Sequence, residues 1–268
     1  MKKRSVLLFF ALISIFILII PNTNPFKLDN TKYFMENKLI MAHRGASAYA
    51  PENTLESFGL AMEQGANYVE LDLRKTKDGI YVASHNETID RELINETDFS
   101  FLKSMRPDLT TLEETLSIYR GKIKFNIELK EQGYEYELVD FLRLAVPPED
   151  VLITSQYPES LEKITGFQRG LILMKGTVWK NVFMDKLKGS VNTRRAIDLC
   201  AEGGFEYFIP NKIYLNEGVL DYAQKKGVKV LPWTVNSDAE LITYLRDSRI
   251  AGVITDKPDI AIKIRESL

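Results

Sequence analysis

The length, composition and charge of the chain exclude several classes of protein. Its 268 residues suffice for one large domain or two small ones, and 45% hydrophobic with 27% charged residues excludes a disordered or collagen-like chain. The 35 basic and 37 acidic residues give a net charge of −2, so no basic surplus favours binding of a nucleic acid. The single cysteine, Cys200, excludes an intramolecular disulfide, so the hydrophobic core must stabilise the fold.

The amino terminus predicts a segment that enters a membrane. Basic residues at positions 2–4 precede a stretch of fifteen residues, 6–20, that is apolar except for Ser14 and whose helix would span about 22 Å against a hydrocarbon core of roughly 30 Å. This pattern is typical of a secretory signal, although no small-x-small cleavage site follows. Two alternatives remain: an uncleaved transmembrane helix over about residues 5–21, which anchors the protein in the cell membrane, or cleavage of residues 1–21 and secretion. Both place the remaining chain outside the cytoplasm, because the basic residues stay inside.

After a polar linker over residues 22–37, short apolar stretches alternate with longer amphipathic ones. The predicted strands are residues 39–43, 68–74, 80–85, 124–130, 151–155, 170–174, 207–210, 229–235 and 252–255. The predicted helices are residues 54–64, 111–119, 134–144, 195–202, 217–226, 239–246 and 258–266. This alternation predicts one α/β domain over residues 38–268, an irregular (β/α)₈ TIM barrel with parallel strands closed by helices. No glycine-rich phosphate-binding motif follows a strand, which excludes the usual nucleotide-binding folds.

The barrel is predicted to be irregular near its second and third strands. Nine strands are predicted where a barrel of this type has eight. The residues between Arg74 and Ile80 leave no room for a crossover helix, which needs about a dozen residues. We therefore expect a departure from regular strand–helix alternation at this point.

Two histidines are the candidate general acid and base. His43 and His85 are the only histidines, and each ends an apolar predicted strand. If these strands run parallel in a barrel, both imidazoles lie at the carboxyl end, where such barrels carry their active sites. Imidazole titrates near neutral pH, so one ring can accept a proton while the other donates one. A single histidine is more often structural, but the position of both at strand ends favours catalysis.

Three carboxylates are the candidate metal ligands. Glu70 and Asp72 lie two residues apart on one predicted strand and therefore share a face, and Asn126, Glu128 and Lys130 share a face of another. Acids that point into a barrel repel each other unless a cation lies between them. An all-oxygen site suits Ca²⁺ or Mg²⁺ better than zinc. The alternative is that both strands are edges with one face in water.

The chain resembles the glycerophosphodiester phosphodiesterase family from about residue 38 to its carboxyl terminus. The matching motifs occur in order: HRG at 43–45, PENT at 51–54, ELDL at 70–73, KDG at 77–79, the histidine at 85, TLEETL at 111–116, IELK at 127–130, WTVN at 233–236 and GVITDKP at 252–258. The resemblance implies a barrel related to phosphoinositide phospholipase C and one divalent cation, Ca²⁺ or Mg²⁺. It further implies hydrolysis of a small-molecule glycerophosphodiester to sn-glycerol 3-phosphate and an alcohol.

The resemblance also implies roles for individual residues. The family's metal ligands fall on Glu70, Asp72 and Glu128, which the argument from strand faces also selects. Its general acid and base fall on His43 and His85. The sequence does not specify which histidine acts first or which of the two cations binds.

The residues implied to bind the substrate are Arg44, Lys130, Trp233 and Glu52. The positive charges that hold the phosphate fall on Arg44 and Lys130. Glu52 is expected to support His43 or the metal, with helix entry as an equal alternative. Trp233 is expected to form a wall on the glycerol side of the pocket, with burial in the core as the alternative.

Two departures from the family pattern concern the second histidine and the segment after it. Asn86 follows His85 where the family usually has aspartate, and the stretch between Arg91 and Thr110 is short and lacks the usual glycine-rich part. The latter segment helps to cover the pocket in relatives, so the leaving-group preference is not predicted.

Two other hypotheses are a membrane-associated lysophospholipase D and a non-catalytic barrel that binds glycerophosphoryl groups. The sequence specifies no head group, oligomeric state or protein partner.

Overall fold

The computed structural model describes residues 38–174 and 189–268. The predicted anchor and linker, residues 1–37, lie outside the described residues, and so do residues 175–188. No helix in the two described ranges combines the length and the hydropathy needed to cross a lipid bilayer.

Eight of the described strands form a nearly closed parallel barrel. They are β1 (Leu39–Ala42), β2 (Tyr68–Lys75), β6 (Lys124–Leu129), β7 (Val151–Ser155), β8 (Gln168–Leu173), β9 (Tyr207–Pro210), β10 (Lys229–Val230) and β11 (Gly252–Thr255). Their order around the sheet is β10-β9-β8-β7-β6-β2-β1-β11, and a bridge between Val230 and Ile250 joins the two ends. The predicted TIM barrel is thereby confirmed for this part of the chain. The strand predicted over 229–235 is shorter, because Pro232 has no N–H to donate to a ladder.

The register of β2 against β6 brings the candidate metal ligands together. Glu70 pairs with Asn126 and Asp72 pairs with Glu128. The intervening residues Val69, Leu71, Leu73, Ile127 and Leu129 are buried against the covering helices, as the alternation predicts. Since β2 pairs with β1 and β6, and β6 pairs with β2 and β7, the edge-strand alternative is wrong.

The ninth predicted strand is not part of the parallel barrel. β3 (Tyr81–Ala83) pairs antiparallel with the end of β2, after a tight turn in which the Thr76 side chain accepts from the Ile80 N–H and Gly79 has φ +89°. A hairpin needs no crossover helix, which explains the short connection. The prediction placed His85 at the carboxyl end of the barrel because its strand was expected to run parallel to the others, and that premise is wrong. The chain instead turns back along β2, and the Ser84 N–H donates to the Asp72 carbonyl at 2.9 Å.

The helices cover the barrel at the predicted places. They are α1 (Leu55–Glu63), α2 (Phe99–Met105), α3 (Leu112–Tyr119), α4 (Glu135–Ala145), α5 (Pro158–Lys163), α6 (Gly189–Gly203), α7 (Glu217–Lys226), α8 (Asp238–Arg246) and α9 (Pro258–Ser267). A capping box of Thr54 and Ser57 begins α1, so Thr54 and not Asn53 is its N-cap. The short helices α2 and α5 were not predicted.

The segment between β3 and α3 forms a small structure with its own core. It contains the hairpin of β4 (Thr88–Ile89) and β5 (Glu92–Leu93) followed by α2. Its buried apolar residues Ile89, Ile94, Leu102 and Leu109 pack together with Val82 of β3. The segment leaves and rejoins the barrel at one point, where the Ala83 N–H donates to the Thr110 carbonyl at 2.9 Å and Val82 bridges Thr111.

Candidate active site

The predicted site residues surround a cavity at the carboxyl end of the parallel strands. It opens to solvent, with about 420 Å³ of space when the open mouth is included, and is lined by His43, Arg44, Glu70, His85, Asn126, Glu128, Lys130, Thr154, Ile172, Met174, Ile209, Trp233 and Ile254. Asp72 lies directly behind this lining and is 1% exposed. Of the predicted residues, Glu52 does not line the cavity.

Three carboxylates form one cluster beside the cavity. Glu70, Asp72 and Glu128 each offer an oxygen, and these oxygens lie within 4.8 Å of one another. Glu70 Oε2 accepts from the Arg44 N–H at 2.8 Å, and Asp72 Oδ2 accepts from Asn53 Nδ2 at 2.8 Å. Glu70 Oε1 is buried and has no hydrogen-bond partner among the described residues. A free, buried carboxylate oxygen in an all-oxygen trio fits Mg²⁺ or Ca²⁺.

The electrostatics of the cluster also favour a cation. Burial, followed by the charge of Asp72, raises the pKa of Glu70 to about 8. Burial likewise raises the pKa of Glu128 against the opposing charge of Lys130. Burial acts in the same direction on Asp72, but Lys130 and Arg44 outweigh it and hold the pKa of Asp72 below its ordinary value. The raised pKa values show that the two basic side chains do not compensate three ionised carboxylates, and a bound cation would favour the ionised form of Glu70.

Arg44 and Lys130 reach the cluster from the ends of β1 and β6, which flank β2 on either side. Lys130 Nζ lies 2.7 Å from Glu128 Oε1 and 3.2 Å from Asp72 Oδ1, and Arg44 Nε lies 3.1 Å from Asp72 Oδ2. Glu52 is half exposed and pairs with Arg44, its Oε2 lying 2.8 Å from Arg44 Nη1. In the structure Glu52 thus contacts Arg44 from outside the cavity lining, and its expected support of His43 or the metal stays a prediction.

His43 is held by an acid that was not predicted. Its Nδ1 lies 2.7 Å from Asp256 Oδ1, which also accepts from Ser47 Oγ at 3.1 Å. Asn236 Nδ2 donates to Asp256 Oδ2 at 2.5 Å. Burial lowers the pKa of His43, but the hydrogen bond to Asp256 and the charge of Glu70 outweigh burial and raise the pKa above its ordinary value.

His85 has a neutral partner. Its Nδ1 lies 3.2 Å from Asn86 Oδ1, so the amide oxygen can accept the ring proton where the family usually has an acid. Burial, together with the nearby charge of Arg44, lowers the pKa of His85. The pKa of His43 is therefore raised above the ordinary value of histidine, whereas the pKa of His85 is lowered below it.

Comparison with known proteins identifies the family. The sequence profile of the glycerophosphoryl diester phosphodiesterase family matches residues 43–260. The chain belongs to this family. A glycerophosphodiester phosphodiesterase of Caldanaerobacter subterraneus subsp. tengcongensis is 28% identical over 250 residues, which cover 84% of this chain and 97% of that protein.

Solved structures of the glycerophosphoryl diester phosphodiesterase family share the fold of this member. The glycerophosphodiester phosphodiesterase of Thermotoga maritima is 27% identical and superposes with a TM-score of 0.70, over 84% of this chain and 97% of that one. A phosphodiesterase of Oleispira antarctica, solved in complex with sn-glycerol 3-phosphate, is 23% identical with a TM-score of 0.68, over 87% of this chain and 98% of that one.

Trp233 lines the cavity of this family member rather than the core alone. Its ring centre lies 6.4 Å from that of His43, and its Nε1 donates to the Ile209 carbonyl at 3.1 Å. With Ile172, Ile209 and Ile254 it forms an apolar wall on the side of β8, β9 and β11. A substrate in the cavity would contact charge on one side and apolar surface on the other.

Sequence reasoning missed three contacts: Asp256 with His43, Asn236 with Asp256, and Asn53 with Asp72. A signal was available, because Asp256 directly follows β11 and Asn236 lies in a quoted motif. The contact of Asp256 with His43 depends on β11 lying beside β1, and only closure of the barrel brings these two strands together.

Proposed function

We propose that this protein hydrolyses glycerophosphodiesters to sn-glycerol 3-phosphate and an alcohol. The observation that carries the proposal is the convergence of two histidines, three carboxylates and two basic side chains on one cavity, in a chain of this family. A phosphodiester has a charged centre and two less polar arms, which match a cavity with one charged and one apolar side.

In this proposal Glu70, Asp72 and Glu128 hold one divalent cation, Mg²⁺ or Ca²⁺. When bound, the cation supplies positive charge for the phosphate oxygens. Arg44 and Lys130 already contact the cluster and add two further positive charges at the same end of the cavity. Together they would neutralise the negative charge that grows on the phosphoryl oxygens in the transition state.

The histidines provide the proton transfers. One imidazole takes the proton of the nucleophile, which is the glycerol 2-hydroxyl or water, and the other protonates the leaving alkoxide. Because Asp256 and Asn86 bind the Nδ1 atoms, the Nε2 atom of each ring is the one left to face the substrate. Attack by the 2-hydroxyl would give a cyclic phosphate that water opens while the histidines exchange roles.

The test is release of the alcohol from glycerophosphocholine, glycerophosphoethanolamine and lysophosphatidylcholine, with and without EDTA. Glycerophosphocholine and glycerophosphoethanolamine should release choline and ethanolamine together with sn-glycerol 3-phosphate, and EDTA should stop the release. His43→Ala and His85→Ala should each lower kcat by at least about 100-fold. Tyr49→Phe, a change at the rim outside the cavity lining, is the control and should keep full activity.

Other results would contradict the proposal in distinct ways. Turnover of lysophosphatidylcholine alone would favour the lysophospholipase D. Binding of sn-glycerol 3-phosphate without turnover would indicate a non-catalytic barrel. Normal kcat of His85→Ala would exclude the two-histidine mechanism.

We also propose that the domain over residues 38–268 acts outside the cytoplasm, attached to the cell membrane by the amino-terminal segment. The support for this location is the basic start and the apolar run at residues 6–20. Cleavage and secretion is the alternative outcome.

A further inference from the structure

His85 is the site residue least well fixed by the barrel itself. The other polar site residues lie on parallel strands or directly after them, whereas His85 follows β3, which has three residues. β3 pairs with β2 on one side, and its other recorded strand contact is a single bridge from Val82 to Thr111. General acid–base catalysis requires the ring to stay within hydrogen-bond reach of the reacting oxygen, so this loop needs an additional attachment.

Arg74 provides such an attachment. It lies on β2 on the same face as Asp72, and its side chain is about nine-tenths buried. Its Nη2 donates to the His85 carbonyl at 2.9 Å and its Nε donates to the same oxygen at 3.3 Å. Two parallel N–H donors on one planar group fix both the distance and the direction of that carbonyl, which a lysine could not do.

The remaining guanidinium nitrogen of Arg74, Nη1, contacts the segment that follows β6. Arg74 Nη1 lies 2.6 Å from Glu131 Oε1, and Glu131 follows the β6 strand end that carries Glu128 and Lys130. One side chain therefore joins β2, the loop after β3 and the loop after β6. The acid cluster lies on β2 and β6, and the second histidine follows β3.

We infer that Arg74 is a positioning residue, which holds His85 against the carboxylate cluster through the main-chain carbonyl and the ion pair with Glu131. This inference rests on the proposed function, because it assigns Arg74 an effect on catalysis that acts through His85. Arg74 is not itself one of the residues that line the cavity, so its removal should affect turnover through His85 and not the binding of the cation.

The first experiment is a double-mutant cycle on kcat. Arg74→Met should lower kcat by about 10- to 100-fold, the range expected when a reacting group is misplaced by about 1 Å. In the His85→Ala protein the same change should lower kcat no further, because the group that it positions is absent. Multiplicative losses would overturn the inference, and so would an unchanged kcat of Arg74→Met.

A matched control separates positioning from a general loss of fold. Arg169 also donates to two main-chain carbonyls, Leu161 at 3.3 Å and Gly204 at 3.0 Å, but at the amino end of β8 and away from the cavity. Arg169→Met should leave kcat unchanged. If Arg74→Met does not fold, Glu131→Ala removes the anchor of the guanidinium instead, and it should lower kcat in the wild-type chain but not in the His85→Ala chain.

The second experiment is independent of activity. The chain has two histidines, so a protein labelled with ¹⁵N-histidine gives ring signals from these two alone, assigned with the single histidine variants. Arg74→Met should shift or broaden the signals of His85 and leave those of His43 unchanged, while Arg169→Met should change neither. Unchanged His85 signals would overturn the inference. Normal activity of His85→Ala would instead contradict the proposed function, and the ring signals would still decide whether Arg74 holds His85.

Discussion

His43 Nδ1 and Asp256 Oδ1 lie 2.7 Å apart, although 213 positions separate the two residues in the sequence. The contact exists because β1 and β11 are neighbours in the closed barrel, so His43 and Asp256 follow adjacent strand ends. Burial alone would raise the pKa of Asp256, but the hydrogen bond and the charge of His43 lower it. The carboxylate therefore stays ionised and fixes the proton of His43 on Nδ1.

Removing this carboxylate should change the pH dependence of turnover. Asp256→Asn removes the strongest interaction that raises the pKa of His43, so that pKa should fall. The limb of the pH–kcat profile that belongs to His43 should move to lower pH, and kcat should fall by about 10-fold or more. Asp259→Asn is the control: this acid lies three residues further on and accepts from the exposed Tyr49. A profile that does not move would show that Asp256 has no influence on the His43 proton.

Divalent cations should stabilise the protein through the carboxylate cluster. A cation that binds the folded state alone raises the Tm, and the stabilisation grows with the logarithm of the ratio of its concentration to the Kd. Glu70→Gln should abolish the rise caused by Mg²⁺ or Ca²⁺ and lower turnover by at least about 100-fold. Without added cation the variant should be as stable as the wild type or more so, because burial already disfavours the charge of Glu70.

The control for the cluster is a buried carboxylate elsewhere. Glu135 is 1% exposed, accepts from Ser160 at 2.6 Å and lies outside the cavity lining. Glu135→Gln should keep the cation-dependent rise in Tm. If thermal unfolding of Glu70→Gln responds to the cation as the wild type does, the ligand assignment is wrong.

Closure of the barrel should depend on Gly252. This residue pairs with Leu39, and a Cβ placed on it would lie 2.1 Å from the Leu39 carbonyl oxygen. Gly252→Ala should lower the free energy of unfolding by about 3 kcal/mol, because main chain must move to admit the methyl group. Gly218→Ala on α7 has its nearest neighbour at 3.5 Å and should not destabilise. The measurement is urea unfolding of both variants. Equal midpoints would show that a methyl group at position 252 does not disturb the pairing of β1 with β11.

The amino-terminal segment should keep the protein in the membrane fraction. Residues 6–20 are apolar except for Ser14, so a high-salt wash, which weakens ionic contacts, should not release the full-length chain. The measurement is the distribution of the protein between pellet and supernatant. A soluble form whose amino terminus begins within residues 22–36 would show that the segment is a cleaved signal.

Local sequence signals predicted most of the secondary structure. The helix predicted over 217–226 is found at those bounds, because Asn216 caps its first turn and Gly227, with φ +72°, ends it. The short helices α2 and α5 have seven and six residues, too few for a clear periodic pattern. The direction of β3 depends on a turn of five residues, which apolar runs alone do not reveal.

The candidate site was predictable where it depends on strand faces. Two-residue spacing on β2 and β6 is sufficient to place Glu70, Asp72 and Glu128 together. Contacts that arise from strand neighbours far apart in the chain were not predictable, and Asp256 is the main example. Arg74 was missed for another reason, because its partner is a main-chain carbonyl that leaves no trace in the sequence.

The small structure between β3 and α3 has a consequence for how substrate preference can change. Because its ends meet at the hydrogen bond from Ala83 to Thr110 and its apolar residues pack on one another and on Val82 of β3, residues 87–109 form a compact unit that can be exchanged while Val82 is kept. Replacing this unit with the corresponding unit of a relative would leave the eight barrel strands and their side chains in place. Substrate preference can therefore change through this segment while the catalytic side chains stay the same, with Arg74 still holding His85 where the segment joins the barrel.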